Sequence, residues 1–380
     1  MDERNYLARQ ERRNRLLAEF PHPTLGDPPR SVARRIVTSE YKLREPEWLR
    51  WGEIKALAAR ALGRPATGDA IAFEGITIPE LAASRLAASR RHHGHDIESA
   101  AGVVRLAMSS SDFPLALADV VTSVRDARLA EASPAYLGIS NEVIGVKTTK
   151  HAARIVPPAQ VPPMQEVAEL QEIPIAAIGD GGEDLEGTTY GLALDIGERA
   201  LINDDVGFLA SVGEGFAHAQ VELENRITLA QLVGGAGGNG ATLADGVQLI
   251  AAARGNIGSA GAMSLAVLSE ARAAIMRKVG RSGAALNASA DVLVVPPESI
   301  TAAEALVAQL TPAQATRFRV VADASLTGTA WYAVASGLKP LRHARISAAR
   351  PMIGAQRVWE TGGLRLKIVH SFAAGAVEWS

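Results

Sequence analysis

Cysteine is absent from this sequence. That omission excludes disulfide scaffolds, thiolate metal sites and cysteine nucleophiles, and it suits a reducing compartment. Aromatic residues are scarce as well: 5 Trp, 5 Tyr and 7 Phe among 380 residues. A chain with few large side chains makes small contacts inside each domain and stays stable when much surface is buried against copies of itself. No apolar run approaches the ~18 uninterrupted residues of a membrane span. The first twenty residues, MDERNYLARQERRNRLLAEF, alternate charges and contain no apolar core, so they do not form a secretory signal. Net charge is also low, −2, against 47% hydrophobic residues, which excludes a mostly disordered chain. The length predicts two or three domains of ~100–200 residues each in a soluble, intracellular protein.

The small net charge hides an uneven distribution. Residues 1–100 hold 17 Lys/Arg and 14 Asp/Glu, whereas the remaining 280 hold 22 and 27. Between Met164 and Glu198 lie nine acidic residues and no basic one. From Ala324 to Trp359 the pattern inverts: Lys339, Arg342, Arg345, Arg350 and Arg357, without an acid. Such blocks form solvated faces, or meet each other across a subunit contact, where complementary charge fixes register.

Along the chain, FPHPTLGDPP (20–29) reads as a linker. Glu47 to Leu62 predicts a helix with Trp48, Trp51, Ile54, Leu57, Ala58 and Ala61 on one stripe. Thr77 and Glu80 have the spacing of a capping box, with Ile76 and Leu81 placed as a hydrophobic staple. Asp96 is a candidate cap for a helix from Ile97 to Met108, and Asp112-Phe113-Pro114 opens a short helix through Val120. Residues 134–163 look extended, GDGGEDLEG (179–187) reads as an acidic hairpin tip, and TTYGLALDI (188–196) alternates as a strand. Asn203-Asp204-Asp205 then caps the longest helix, whose stripe runs Leu209, Val212, Phe216, Ala219, Leu223, Ile227, Ala230 and Val233. About 30 residues at ~1.5 Å each predict a rod of roughly 45 Å. Gly213 and Gly215 weaken its first half, so tertiary packing must hold it. After Gly234-Gly235 come a glycine-rich loop, a helix from Ser264 to Val279, a buried strand Asp291–Val295 and a helix ending at Leu310. Strands follow at Phe318–Val321, Trp331–Val334, Ala344–Ile346, Leu364–Val369 and Ala376–Trp379.

Motifs of catalysis are missing. Gly235 to Gly240 spells G-x-G-x-x-G, but a helix precedes it and coil follows, so a mobile loop is the better account than a dinucleotide site. His92, His93 and His95 form a histidine tract beside Arg90 and Arg91, which disfavour a metal, and the other five histidines show no paired spacing. There is no G-x-S-x-G elbow, and no pair of acids takes acid and base roles from sequence alone. Arg12, Arg13, Arg15, Arg34 and Arg35 are interleaved with acids, a poor nucleic-acid arm. No cofactor or metal site is therefore expected.

Several strings carry a resemblance. Residues 110–119, SSDFPLALAD, resemble the TSDFP…LAD opening of major capsid proteins of tailed bacteriophages, most of all the branch often encoded behind a prohead protease. Arg199 to Asp205 resembles that family's RQALINDDL entry to its long helix, and Glu222 to Asn225 followed by Leu229–Leu232 its RENDLVYALL stretch. Leu243 to Gly246 and Gly255-Asn256 resemble MADGKALFHADHGN, and Val369 to Trp379 the closing DFGAAAIDW strand. The segment Ile76–Leu81 is also similar to the stretch preceding that family's capsid portion, so the likeness covers roughly residues 74–380. Where the family has Phe-His-Ala-Asp-His this chain has Ile250-Ala-Ala-Ala-Arg254, and no protease signature precedes Ser109.

The resemblance implies an α+β fold of the Hong Kong-97 type. Its parts would be a helical N-terminal extension (1–108), an N-arm (109–145), an extended loop (146–198), a peripheral domain with the long helix (199–235 and 342–380) and an axial domain (236–341). It implies a non-enzymatic major capsid protein that self-assembles into hexamers and pentamers of an icosahedral shell around double-stranded DNA. The implied location is the virion, and the host cytoplasm during assembly. Partners would be further copies, portal and decoration proteins, and DNA held non-specifically, with no membrane. An encapsulin-like cargo compartment or gene-transfer-particle shell is the alternative. The contact candidates are Glu183, Asp184 and Glu186 on the acidic loop, facing Lys339, Arg342, Arg345 and Arg350 of a neighbour. The N-terminal hundred residues are expected to remain attached as an internal arm.

Overall fold

The computed structural model describes residues 47–88, 99–144, 146, 153–155, 182–258, 262–280, 283, 285–310, 318–324, 326, 328–346, 352–358 and 362–377. The linker at 20–29, the histidine tract, Asp96, Arg350 and most of the expected extended loop lie outside them. The fold is α+β, in two compact units: residues 1–132, 191–220 and 351–370, and residues 133–190, 221–350 and 371–380.

The first unit is mainly helical. Helix α1 (Glu47–Ala61) buries Ile54, Leu57 and Ala58 as its period requires, whereas Trp51, expected on that stripe, is 40% exposed. Helix α2 (Ile78–Ala88) starts at the expected capping box: the Thr77 amide donates to Glu80 Oε2 (2.9 Å) and the Glu80 amide to Thr77 Oγ1 (3.3 Å). Ile76 and Leu81, the expected staple, are both buried. Helix α3 (Ala100–Met108) is capped by Ser99, whose Oγ accepts from the Gly102 amide. Helix α4 (Asp112–Glu131) runs well past Val120, its expected end. Thr122 and Ser123 do not break it, because their hydroxyls donate back to the carbonyls of Ala118 and Asp119.

A short helix α5 (Glu198–Ile202) leads into α6 (Val206–Val233), the expected rod. The three-residue cap divides its work. Asp205 Oδ1 accepts from the Phe208 amide and starts α6, while Asp204, at φ +56°, takes the Ile78 amide (2.7 Å) and pairs with Arg60 (2.6 Å). Gly213 lets α6 approach α4: a Cβ there would lie 2.6 Å from Val124 Cγ1. The remaining layer is the hairpin of β9 (Met352–Arg357) and β10 (Leu364–Ala376), registered Leu364↔Arg357 through Val369↔Met352. Leu364, Leu366 and Ile368 join Phe73, Phe113, Phe216 and the inner faces of α1–α4 in one core. Strand β9 has no counterpart among the expected strands; the expected run Leu364–Val369 continues to Ala376 as β10, while of the expected run Ala376–Trp379 only Ala376 falls on that strand and residues 378–380 lie outside the described ones.

In the second unit, β5 (Val292–Val295) is buried along its whole length, as an uninterrupted apolar run predicts. It pairs parallel with β6 (Arg319–Ala322) and antiparallel with β7 (Tyr332–Val334). Helices α7 (Leu265–Met276) and α8 (Ile300–Ala308) pack on it through Leu268, Ala303 and Leu306. Elsewhere β1 (Ser140–Glu142) lies parallel to β8 (Leu341–Arg345), and β8 is antiparallel to residues 372–376 of β10. The chain from 234 to 240 is tied down, which corrects the expectation of a mobile loop. Gly240 is buried and donates to the Gly234 carbonyl (2.8 Å), the Ala241 amide returns to Gln231 O, and the Tyr332 hydroxyl donates to Gly238 O. Its G-x-G-x-x-G spelling reflects a turn in which a Cβ at Gly240, φ +76°, would lie 2.9 Å from two carbonyl oxygens of α6.

Candidate subunit-contact site

The acidic candidates sit on or next to a two-stranded ribbon in the second unit, β2 (Ala153–Ile155) paired antiparallel with β3 (Glu183–Leu185). Leu185 anchors it, fully buried against Ala344, Ile346, Ala373 and Val377. The pleat then turns Asp184 outward, opposite Arg154 in register, and Glu186 just beyond the strand is exposed as well. Glu183 is already engaged, since its Oε2 accepts from the Ala244 amide at 2.8 Å.

The basic candidates lie on β8 and the turn before it. Lys339 is half-buried in a left-handed turn (φ +50°). Arg342 is buried and donates to the Lys339 carbonyl; burial holds its pKa below the ordinary value. Arg345 grips Glu224 of α6 with two nitrogens, Nε to Oε1 at 3.1 Å and Nη2 to Oε2 at 2.7 Å, and its Nη2 also reaches the Tyr136 hydroxyl. That hydroxyl donates in turn to Glu224. Burial, and then the adjacent carboxylate, push the Tyr136 phenol far above its usual pKa, so it remains a donor. The described acidic and basic candidates are not joined to each other, and Arg345 already holds a carboxylate of its own chain.

Next to this network, His343 Nδ1 and Ser140 Oγ are 2.8 Å apart, the imidazole lies edge-on to Tyr136, and it stacks on Phe372. Burial, reinforced by Arg345, pushes the His343 pKa down to about 4, with Glu224 opposing. A serine on a neutral imidazole has the outline of a nucleophile and its base. Ser140 and His343 are only 3% and 2% exposed, so no substrate reaches them and the pair is structural. Periodicity did not mark Glu224 as buried. The available signal was the polar series Gln220, Glu224, Thr228 at steps of four, all of them buried.

Residues 183–380, just over half of the chain, match the family model described as phage capsid protein. The chain belongs to the phage capsid protein family. The match takes in β3, β4 (Thr188–Ile196), the rod, the β5–β7 sheet and β10. No curated protein matches this capsid-family sequence. Among solved structures, the capsid-family chain is similar to one from Mycobacterium phage Bobi, with 13% identity and a TM-score of 0.40 over 65% of this chain and 86% of that one. The capsid of Ralstonia phage GP4 gives 10% identity and a TM-score of 0.40 over 64% and 84%. A virus-like particle from Pyrococcus furiosus gives 11% and 0.37 over 67% and 93%.

Proposed function

We propose that this capsid protein is the shell-forming subunit of a phage head, assembling as hexamers and pentamers of an icosahedral shell around double-stranded DNA. The observation that carries this reading is the family match across residues 183–380. The work is association, not covalent chemistry: rigid elements such as α6 hold exposed surfaces in register, and many modest contacts sum over a closed lattice. Portal and decoration proteins and the packaged DNA are further partners in this reading, and assembly takes place in the host cytoplasm. The extended loop is assigned to 146–198, the N-arm to 109–145, the peripheral domain to 199–235 with 342–380, and the axial domain to 236–341. Of the charged candidates, Asp184 and Glu186 on the ribbon and Lys339 and Arg350 on the basic side are assigned the intersubunit pairing.

Expression of the full chain followed by sedimentation and negative-stain imaging tests the proposal. Closed particles of uniform size, and nuclease-protected DNA when the other phage components are supplied, are expected. A subunit that stays monomeric under all conditions overturns it. Particles that enclose protein cargo and never DNA favour the compartment reading instead.

A further inference from the structure

The second unit holds a cavity of about 750 Å³, a size that accepts a large side chain or a small ligand. Three of its lining residues, Leu232, Leu249 and Val334, also belong to the buried cluster around β5 and β8. Helix α7 contributes Ala274 and Ile275. Ile257, which lines it too, is 57% exposed, so the described residues leave apolar surface here without cover.

The polar groups around the cavity are engaged within the chain. Arg254 donates through Nη2 to Asp245 Oδ2 at 2.7 Å and through Nε to the Gln248 carbonyl at 2.9 Å. Asn256 donates to the Leu249 carbonyl at 2.7 Å and accepts from the Ala251 amide at 2.8 Å. The Tyr332 hydroxyl is held by Gly238 O, and the Lys278 ammonium donates to the Arg254 carbonyl. An occupant is therefore recognised by apolar contact and shape more than by charge.

Such an occupant lies within reach along the chain. Val377 lines the cavity, and its amide donates to the carbonyl of Pro340, another lining residue, at 2.9 Å. Val377 is the last of the described residues, and Glu378, Trp379 and Ser380 follow it in the sequence. Two residues span at most about 7 Å, so position 379 stays beside the cavity whatever course the chain takes. A tryptophan there brings roughly 150–250 Å² of surface to bury.

We infer that Trp379 docks in this cavity and closes it, completing the core of the second unit from within the same chain. The tail is favoured over a second copy because a tether of two residues holds it at an effective concentration on the order of millimolar, however dilute the protein. The inference stands independently of the shell-subunit reading.

The absence of cysteine makes the test clean, since Ala274→Cys places the only thiol in the cavity lining. Maleimide labelling is followed on dissociated full-length subunits. With Trp379 in place, labelling should be at least about ten-fold slower than in the same chain carrying Trp379→Ala, because thiol reactivity follows access. Trp379→Phe should restore most of the protection. Ala303→Cys, buried on α8 outside the cavity lining, reports the fold and should stay unlabelled in both backgrounds. Equal labelling of Ala274→Cys with and without Trp379 overturns the docking. So does a Trp379→Ala change that exposes Ala303→Cys equally, since the tail then acts on the whole fold. Protection of Ala274→Cys that arises only in assembled particles gives the cavity to a second copy, and overturns the docking too.

Discussion

The most demanding test of the helical unit is a charge pair with no access to water. Glu53 on α1 is 0% exposed and Arg85 on α2 is 2% exposed, with Nη2 to Oε2 at 2.6 Å. Ser84 Oγ donates to the same carboxylate oxygen at 2.9 Å, and Arg85 Nη2 also reaches the Arg50 carbonyl at 3.3 Å. The field extends to α4, where Asp119 has its pKa raised by burial against the lowering pull of Arg50 and Arg85. Two opposed terms decide such a site. Desolvating two ions costs several kcal/mol, and only close geometry with extra hydrogen bonds offsets it, so the intact pair contributes little net stability. Removing one partner is different, because it strands a buried charge.

Arg85→Met keeps most of the side-chain volume and removes the cation. It should therefore destabilise the subunit by about 3–5 kcal/mol. At roughly 2–4 °C per kcal/mol for a body of this size, that is a fall of about 6–20 °C in the melting transition. Thermal and urea melts of dissociated subunits at one fixed concentration measure it, since association would shift the midpoint by itself. The control is the double variant Glu53→Met with Arg85→Met, which should recover to within about 1–2 kcal/mol of wild type because no charge is left buried. A single variant costing under about 1 kcal/mol, or a double variant as unstable as the single, refutes the electrostatic account.

Three further outcomes follow from individual residues. The unfolded chain protonates His343 near its ordinary value of about 6.5 and the folded chain only near 4, so stability is lost as the pH falls between them. At 1.36 kcal/mol per unit the loss approaches about 3 kcal/mol, and His343→Gln should flatten that limb of a stability–pH curve by one proton; an unchanged slope refutes it. Gly213→Ala forces a methyl to 2.6 Å from Val124 and should cost about 1–3 kcal/mol, whereas Gly215→Ala meets nothing within 4 Å and should gain about 0.5–1 kcal/mol in the same melts. Asp184→Lys with Glu186→Lys should lower particle yield without moving the subunit's melting point, because both residues face solvent; normal yield removes them from the contact.

What was legible in the sequence follows from where periodicity has one cause. The rod was read as Asp204–Val233 and runs Val206–Val233, because a cap and an apolar spacing act together at its start, where Leu209, Val212 and Phe216 are buried; further along the expected stripe drifts off the core, with Leu223 and Ile227 half-buried and Ala230 exposed. The capping box at Thr77 was readable for the same reason: a local hydrogen-bond pair depends on nothing distant. Legibility failed where burial changes sides along one element. Strand β10 alternates buried and exposed from Leu364 to Ile368, then is buried on successive residues from His370 to Ala373, so its pattern breaks midway and the strand was read only as far as Val369. Charge failed for a related reason. The basic block from Lys339 to Arg357 counts charges but not their partners, and the partner of Arg345 lies 121 residues away, on a helix position off the apolar stripe. A block of like charge is therefore an upper bound on the surface available to a neighbour, and what remains after internal pairing is found only in the folded chain.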